Sequence, residues 1–211
     1  MHTKRNVFIA VFSFLILTIF VLYGTYYYIL DKQKILLDST YNSTNTNILK
    51  LTEKFLDNKI NTTLAIALSL VKDYELHKLM STQEYDKFNY SDISQQIKDN
   101  TKFKNIWIQI IDKNGNSIYR SWSDKKGDNL FFRKDLKNFV EDKKVSTSIS
   151  VGLYSMTIKA RAPIIDEENN FLGALEIIGQ FNSIANDLKE NKIDSVIIAD
   201  KKYNEIIQLP F

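Results

Sequence analysis

Residues 151–166, VGLYSMTIKARAPIID, and residues 171–179, FLGALEIIG, decide the fold. Side chains alternate across an extended chain. In the first stretch Met156, Ile158, Ala160 and Ala162 therefore fall on one face, opposite Thr157, Lys159 and Arg161. The turn Asp166 to Asn170 brings the chain back into Phe171–Gly179, which predicts an antiparallel pair. Upstream, Val145, Thr147, Ile149 and Val151 alternate with Ser146, Ser148 and Ser150, and the spacing predicts a third strand.

Working further back, Ile106, Ile108 and Ile110 alternate with Trp107 and Gln109. Asn114 and Gly115 then supply a hairpin turn, and Ile118, Arg120 and Trp122 resume on one face. Phe132, Leu136, Phe139 and Val140 have helical spacing. So do Phe181, Ile184, Ala185 and Leu188, ahead of an apolar run, Ser195 to Ala199, read as a last strand. No internal repeat is present. The expected fold class is α+β, with a five-stranded antiparallel sheet and flanking helices.

The amino-terminal end is of another kind. From Val7 to Leu30 no charged residue occurs, and the run is long enough to cross roughly 30 Å of hydrocarbon as a helix. Lys4 and Arg5 hold the terminus in the cytoplasm by the positive-inside tendency, while Tyr23, Tyr26, Tyr27 and Tyr28 suit the opposite headgroup layer. A cleaved signal peptide would have a shorter apolar core, about 7 to 15 residues, and a small-residue cleavage site. The expected layout is a cytoplasmic terminus at 1–6, a transmembrane helix at 7–30 and an exported remainder.

That remainder begins with residues 31–80, a stretch free of proline and glycine that reads as a long stalk helix or a pair of helices. Ile48, Leu51 and Phe55 share one face, and Ile60, Leu64, Ala67, Leu68 and Val71 continue the stripe. Residues 41–47 (YNSTNTN) are poor helix formers, so a bend is expected there.

Composition narrows the function. The 211 residues are 44% hydrophobic and 25% charged, with two prolines and six glycines, which is globular usage. Apart from Lys4 and Arg5, 26 basic residues face 25 acidic ones. No basic stripe or recognition module indicates nucleic acid. The chain has no cysteine and only His2 and His77, which excludes disulfides, thiolate metal sites and a histidine-based triad. No nucleophile motif stands out, and the reading is of a non-enzyme with no catalytic residue, cofactor or metal. Asp112, Asn114, Gly115 and Asn116 lack the ligand spacing and late glutamate of a calcium loop and read as a hairpin turn. Asp166, Glu167 and Glu168 read as a solvated turn.

Four phrases in order, IIDKNGNSIYRSW (110–122), GDNLFFRKDL (127–136), VGLYSMTIKARAPIID (151–166) and FLGALEIIG (171–179), follow a membrane helix and a stalk. This arrangement resembles the Cache domains, the extracytoplasmic PAS-like sensor modules of bacterial receptors. The nearest likeness is to the double-Cache type of histidine kinases, chemoreceptors and diguanylate cyclases. The resemblance implies a sensor module at 81–192, with 193–211 where a second module would begin. The sequence ends at Phe211 without a returning membrane helix or an output domain, so the expectation is either a receptor fragment or a chain that does not signal by itself. It also implies a single-pass inner-membrane protein with a periplasmic carboxyl-terminal domain, working in two-component signalling or chemotaxis.

In resembling sensors the ligand lies against the sheet beneath the segment joining the second and third strands, here Ser123 to Lys144. The candidate ligand-binding residues are Tyr119, Arg120, Trp122, Arg133, Tyr154, Lys159 and Arg161. Guanidinium groups grip carboxylates through paired hydrogen bonds and aromatic rings wall small pockets, so a small anionic or zwitterionic ligand is expected. The structural alternative is that Arg120 and Arg161 pair with Glu176 or with aspartates and that Trp122 is core. A homodimer through the stalk, with Ile48, Leu51 and Phe55 as contact, is the expected protein partner. The rival function is an envelope assembly protein, which would present an open apolar patch in place of a closed pocket.

Overall fold

The computed structural model describes residues 2–151, 156–198 and 200. Its elements follow as α1 (His2–Leu70), α2 (Tyr74–Thr82), a 3-10 turn (Tyr85–Lys87), α3 (Ser91–Asn100), β1 (Ile106–Asp112), β2 (Ser117–Arg120), α4 (Lys134–Asp142), β3 (Ser146–Val151), β4 (Met156–Ile165), β5 (Phe171–Gly179) and α5 (Asn182–Glu190). The chain divides into two units between Lys50 and Leu51.

The first unit is helix. Its apolar residues from Val11 onward are solvent-exposed in the isolated chain, and this stretch is long and apolar enough to cross a membrane. The bend expected at 41–47 is absent, because α1 is unbroken to Leu70. Weak helix formers cost only tenths of a kcal/mol each, about 0.7 at most, whereas restarting a helix requires a new nucleus. Thr46 also satisfies its hydroxyl by donating to the Asn42 carbonyl (2.8 Å). The break falls instead at Val71–Asp73. There Asp73 caps α2 by accepting from Glu75 N (3.0 Å) and ties the cap to the Tyr90 hydroxyl (2.7 Å). An aspartate before a helix is a better stop-and-restart signal than a run of asparagines inside one.

The second unit is built on the five-stranded antiparallel sheet, in the order β2-β1-β5-β4-β3. On one face Ile106, Ile108, Ile110, Ala160, Ala162, Ile164, Leu175 and Ile177 pack against Leu64, Ala67 and Leu70 of α1 and against α2. Ile93 and Ile97 join this core from α3, a helix that the polar composition of 81–105 concealed. Nearby, Ile158 packs with Ile184 and Leu188 of α5 and with Leu51, Phe55 and Ile60 of α1. The stripe assigned to dimerisation is thus partly used inside the chain. On the opposite face, residues 123–144 cross the sheet, anchored by Leu130, Leu136 and Phe139 on Ile111 and Ala174.

Two strand expectations change, and β3 shows which of its faces is inner. The register of β1 with β2 shifts between Ile110 and Ile111, pairing Gln109 with Arg120, Ile110 with Tyr119 and Ile111 with Ser117. The extra residue, Ile118, joins the helix-side core, so it does not share a face with Arg120. In β3 the expected alternation holds, with the serines as the inner face: Thr147 and Ile149 are exposed, while Ser148 and Ser150 point into the polar interior. Ser195–Ile198 has no regular structure, and Ala199 lies outside the described residues.

Candidate functional site

The hairpin that begins the site is set by Asp112. Its carboxylate accepts from the backbone of Asn114 (2.9 Å) and Asn116 (2.8 Å), and Gly115 takes the left-handed φ of 81° that the turn needs. Asp166 repeats the device at the next hairpin, accepting from Glu168 N and Asn170 N. Both acidic turns thus use a carboxylate to hold backbone.

Alternation then delivers Trp107 and Gln109 from β1, Arg120 from β2, Glu176 and Ile178 from β5, and Thr157, Lys159 and Arg161 from β4 to one face. Residues 123–144 close over it with Asp128, Leu130, Phe132, Arg133 and Asp135. A cavity of about 370 Å³ lies between. The indoles of Trp107 and Trp122, the chain's two tryptophans, stack at 5.0 Å between centroids with 19° between planes, and the Arg120 guanidinium sits 6.0 Å from the Trp122 ring. Ile178, Leu130 and Phe132 complete the apolar wall.

Behind this wall lies a buried charge network. Arg133 clasps Glu176 through two parallel bonds (3.0 and 2.5 Å), and Arg161 Nε donates to the same carboxylate (2.6 Å). Arg161 also donates to Asp135, which accepts from Arg133 (3.3 Å) and Ser148 (3.1 Å) as well. Arg120 forms a second two-pronged pair with Asp128 (2.7 and 2.8 Å) and donates to the Lys125 carbonyl. Gln109, with its amide turned to satisfy its neighbours, bridges the two groups by donating to Glu176 Oε2 (3.0 Å) and accepting from Arg120 Nε (3.2 Å). Burial pushes the Glu176 carboxyl up, but Arg133 and Arg161 outweigh it and hold it down at about 2. Asp135 is held below the carboxylate range by the same two arginines against its own desolvation. Lys159 differs from these: its ammonium donates to Ser150 Oγ (2.7 Å) and forms no ion pair among the described residues. Burial first, and then Arg133, lower its pKa to about 8.

Of the residues expected at the site, Arg120, Trp122, Arg133 and Lys159 line the cavity. Arg161 lies behind it, wholly engaged with Glu176 and Asp135. Tyr119 requires correction. It follows Ile110 to the opposite face, packs with Phe88 and Tyr90, and its hydroxyl accepts from Tyr90 N (2.7 Å). Tyr154 lies outside the described residues. Sequence reasoning missed Trp107, Gln109 and Thr157. Their strand parity with Arg120 and Lys159 was the available signal.

No protein-family model matches the chain, and no curated protein sequence does. Solved structures do. The sensor domain of DcuS from E. coli superposes with a TM-score of 0.53 at 15% identity, covering 64% of this chain and 98% of that one. The sensor domain of the histidine kinase DctB from V. cholerae gives a TM-score of 0.53 at 16% identity, covering 68% of this chain and 57% of that one. The chain therefore spans somewhat over half of the DctB domain's length and nearly all of the DcuS domain's. At these identities the likeness establishes the fold: a long helix and a five-stranded antiparallel sheet with flanking helices, as in receptor sensor domains.

Proposed function

We propose that this chain is the extracytoplasmic ligand-sensing region of a bacterial transmembrane receptor, a non-catalytic module that binds a small anionic or zwitterionic molecule. The observation that carries the reading is the cavity under residues 123–144, walled by the tryptophan pair and floored by Thr157 and Lys159. A surface with an open apolar patch and no such recess would have favoured the assembly role. In this reading the receptor is a histidine kinase, chemoreceptor or diguanylate cyclase of the Cache type. Its apolar helix anchors it in the inner membrane, and it dimerises through stalk residues other than Leu51 and Phe55, which pack on α5. Ligand bound on one sheet face shifts strands whose other face holds α1, and the bound and free states differ in affinity.

The test is a thermal-shift screen of the full chain in detergent against amino acids, small carboxylates and other metabolites. The readout is intrinsic fluorescence, since both tryptophans line the cavity. A ligand specific for the folded state adds about 2.7 kcal/mol at a hundred times its dissociation constant. The expected result is a raised midpoint for at least one compound. A cooperative melt that no compound moves would transfer the reading to a module that binds a protein partner.

A further inference from the structure

We infer that the cavity selects a monocarboxylate with an apolar body and no ammonium group, that is, a desamino acid such as an aryl- or branched-chain alkanoate. The inference rests on the sensing reading and narrows its ligand class.

Among the described residues, Asp128 is the sole carboxylate lining the cavity, and both of its oxygens are taken by Arg120. Glu176 and Asp135 stand behind the wall: both Glu176 oxygens are engaged by Arg133, Arg161 and Gln109, and Asp135 Oδ2 accepts from Arg133, Arg161 and Ser148. The Lys125 carbonyl accepts from Arg120. An incoming ammonium would find these carboxylates already paired with arginines, and it would face Lys159, Arg133, Arg120 and Lys125 across the recess.

The buried hydrogen-bonding capacity left without a partner is weighted toward donors. Arg133 Nε and Thr157 Oγ1 have no hydrogen-bond partner among the described residues, although their side chains are only 8% and 4% exposed. Lys159, 3% exposed, spends one of its three N–H donors on Ser150 and among the described residues keeps two. All three residues line the same recess. Buried polar groups without partners are costly, and one carboxylate can satisfy a guanidinium N–H, a hydroxyl and an ammonium together. The rest of the wall is Trp107, Trp122, Ile178, Leu130 and Phe132, which offers flat and aliphatic contact to a hydrocarbon body. A volume of about 370 Å³ lies at the small end of ligand sites.

The test uses the full chain in detergent, with tryptophan fluorescence titration and thermal shift on matched compounds. These are 3-phenylpropionate against phenylalanine, 4-methylpentanoate against leucine, and 3-phenylpropionamide and phenethylamine as charge controls. The expected result is that at least one desamino acid binds tenfold or more tighter than its amino acid, that the amide and amine fail, and that Thr157→Val and Lys159→Met each weaken the acid at least fivefold. Equal or tighter binding of phenylalanine or leucine overturns the inference and leaves the sensor reading standing, as does binding of the amide as strong as that of the acid. Silence of the whole matched set overturns the inference; if the metabolite screen is silent too, the sensor reading falls with it. The wild-type comparison decides the matter even if Lys159→Met fails to fold.

Discussion

Lys159 shows what one residue's surroundings do to its chemistry. Its neighbours from the packed elements are Arg133 and Asp135 of the covering segment, Arg161 of its own strand and Glu176 of β5. Burial leads the list of effects on it and Arg133 adds to burial, so the folded protein holds the lysine proton less tightly than the unfolded chain does. Between about 8 and the ordinary 10.5 the unfolded chain binds the extra proton. In that window stability therefore rises with pH, by roughly 1.4 kcal/mol per unit while the difference is fully expressed. Lys59, buried beside Gly179 and Phe103 with its pKa lowered by burial to about 8 against the pull of Asp187, acts in the same direction. Above pH 10 the sense reverses. Tyr85, Tyr90 and Tyr119 all have pKa values raised, chiefly by burial, so the stability that their protonated forms contribute is lost as the unfolded chain ionises first. The melting midpoint of the unliganded chain should thus climb from pH 8 to near pH 10 and then fall. Lys159→Met should flatten part of the climb, and an unchanged climb in that variant would contradict the assignment. At this scale the sequence was informative: alternation put Lys159 and Arg161 on one face of their strand, and the pairing register adds Arg120 to it. Parity could not tell that Arg161 would be consumed by Glu176 while Lys159 stayed available, because that depends on Arg133 and Asp135 arriving from a separate segment.

Elements read well where one periodicity governed them and poorly where two requirements competed. Strands β4 and β5 and helices α4 and α5 follow their apolar spacing. Strand β3 keeps its alternation with the serines inward, where they serve Asp135 and Lys159, leaving Thr147 and Ile149 outside. Hydrophobicity alone orients a strand correctly only when the interior is apolar, and here the covered face is a charge network. Two of the fastenings between the segment 123–144 and the sheet differ in kind, alongside Arg120 on Asp128 and Arg161 and Ser148 on Asp135. One is the apolar contact of Leu130, Leu136 and Phe139 with Ile111 and Ala174, and the other is the double clasp of Arg133 on Glu176. Replacing Glu176 with Gln leaves Arg133 and Arg161 buried with a neutral partner. Removing one member of a buried charge pair costs about 3–5 kcal/mol. Glu176→Gln should accordingly lower the unfolding free energy by an amount of that order, read as a lower denaturant midpoint at an unchanged slope. Limited proteolysis should shift toward 123–144, since the clasp is the fastening weakened. A fall below about 1 kcal/mol would mean that the clasp on Glu176 adds little to the other fastenings of the segment.

At the scale of the molecule, the sheet is the one body that both the cavity and α1 touch. In β4 and β5, Thr157, Lys159, Glu176 and Ile178 look toward the cavity or the network behind it. Their immediate neighbours Ile158, Ala160, Leu175 and Ile177 look toward the helices. A strand cannot shift one set without carrying the other, because successive side chains share a backbone and the pairing register ties Lys159 to Ile178 and Arg161 to Glu176. Ligand drawn onto Thr157 and Lys159 should therefore be felt at Leu51 to Leu70, the part of α1 whose Leu64, Ala67 and Phe55 rest on that sheet. The measurement is amide hydrogen exchange of the full chain with and without a bound carboxylate. Slowed exchange is expected in 123–144 by direct contact, together with altered exchange along Leu51–Leu70, which no ligand in the cavity touches. Local opening free energies respond to ligand only where the bound and open states compete. A change confined to 123–144 would leave the cavity as a binding site without a route to the helix. A change that reaches Leu51–Leu70 in the wild type and disappears in Thr157→Val would identify the sheet as the carrier.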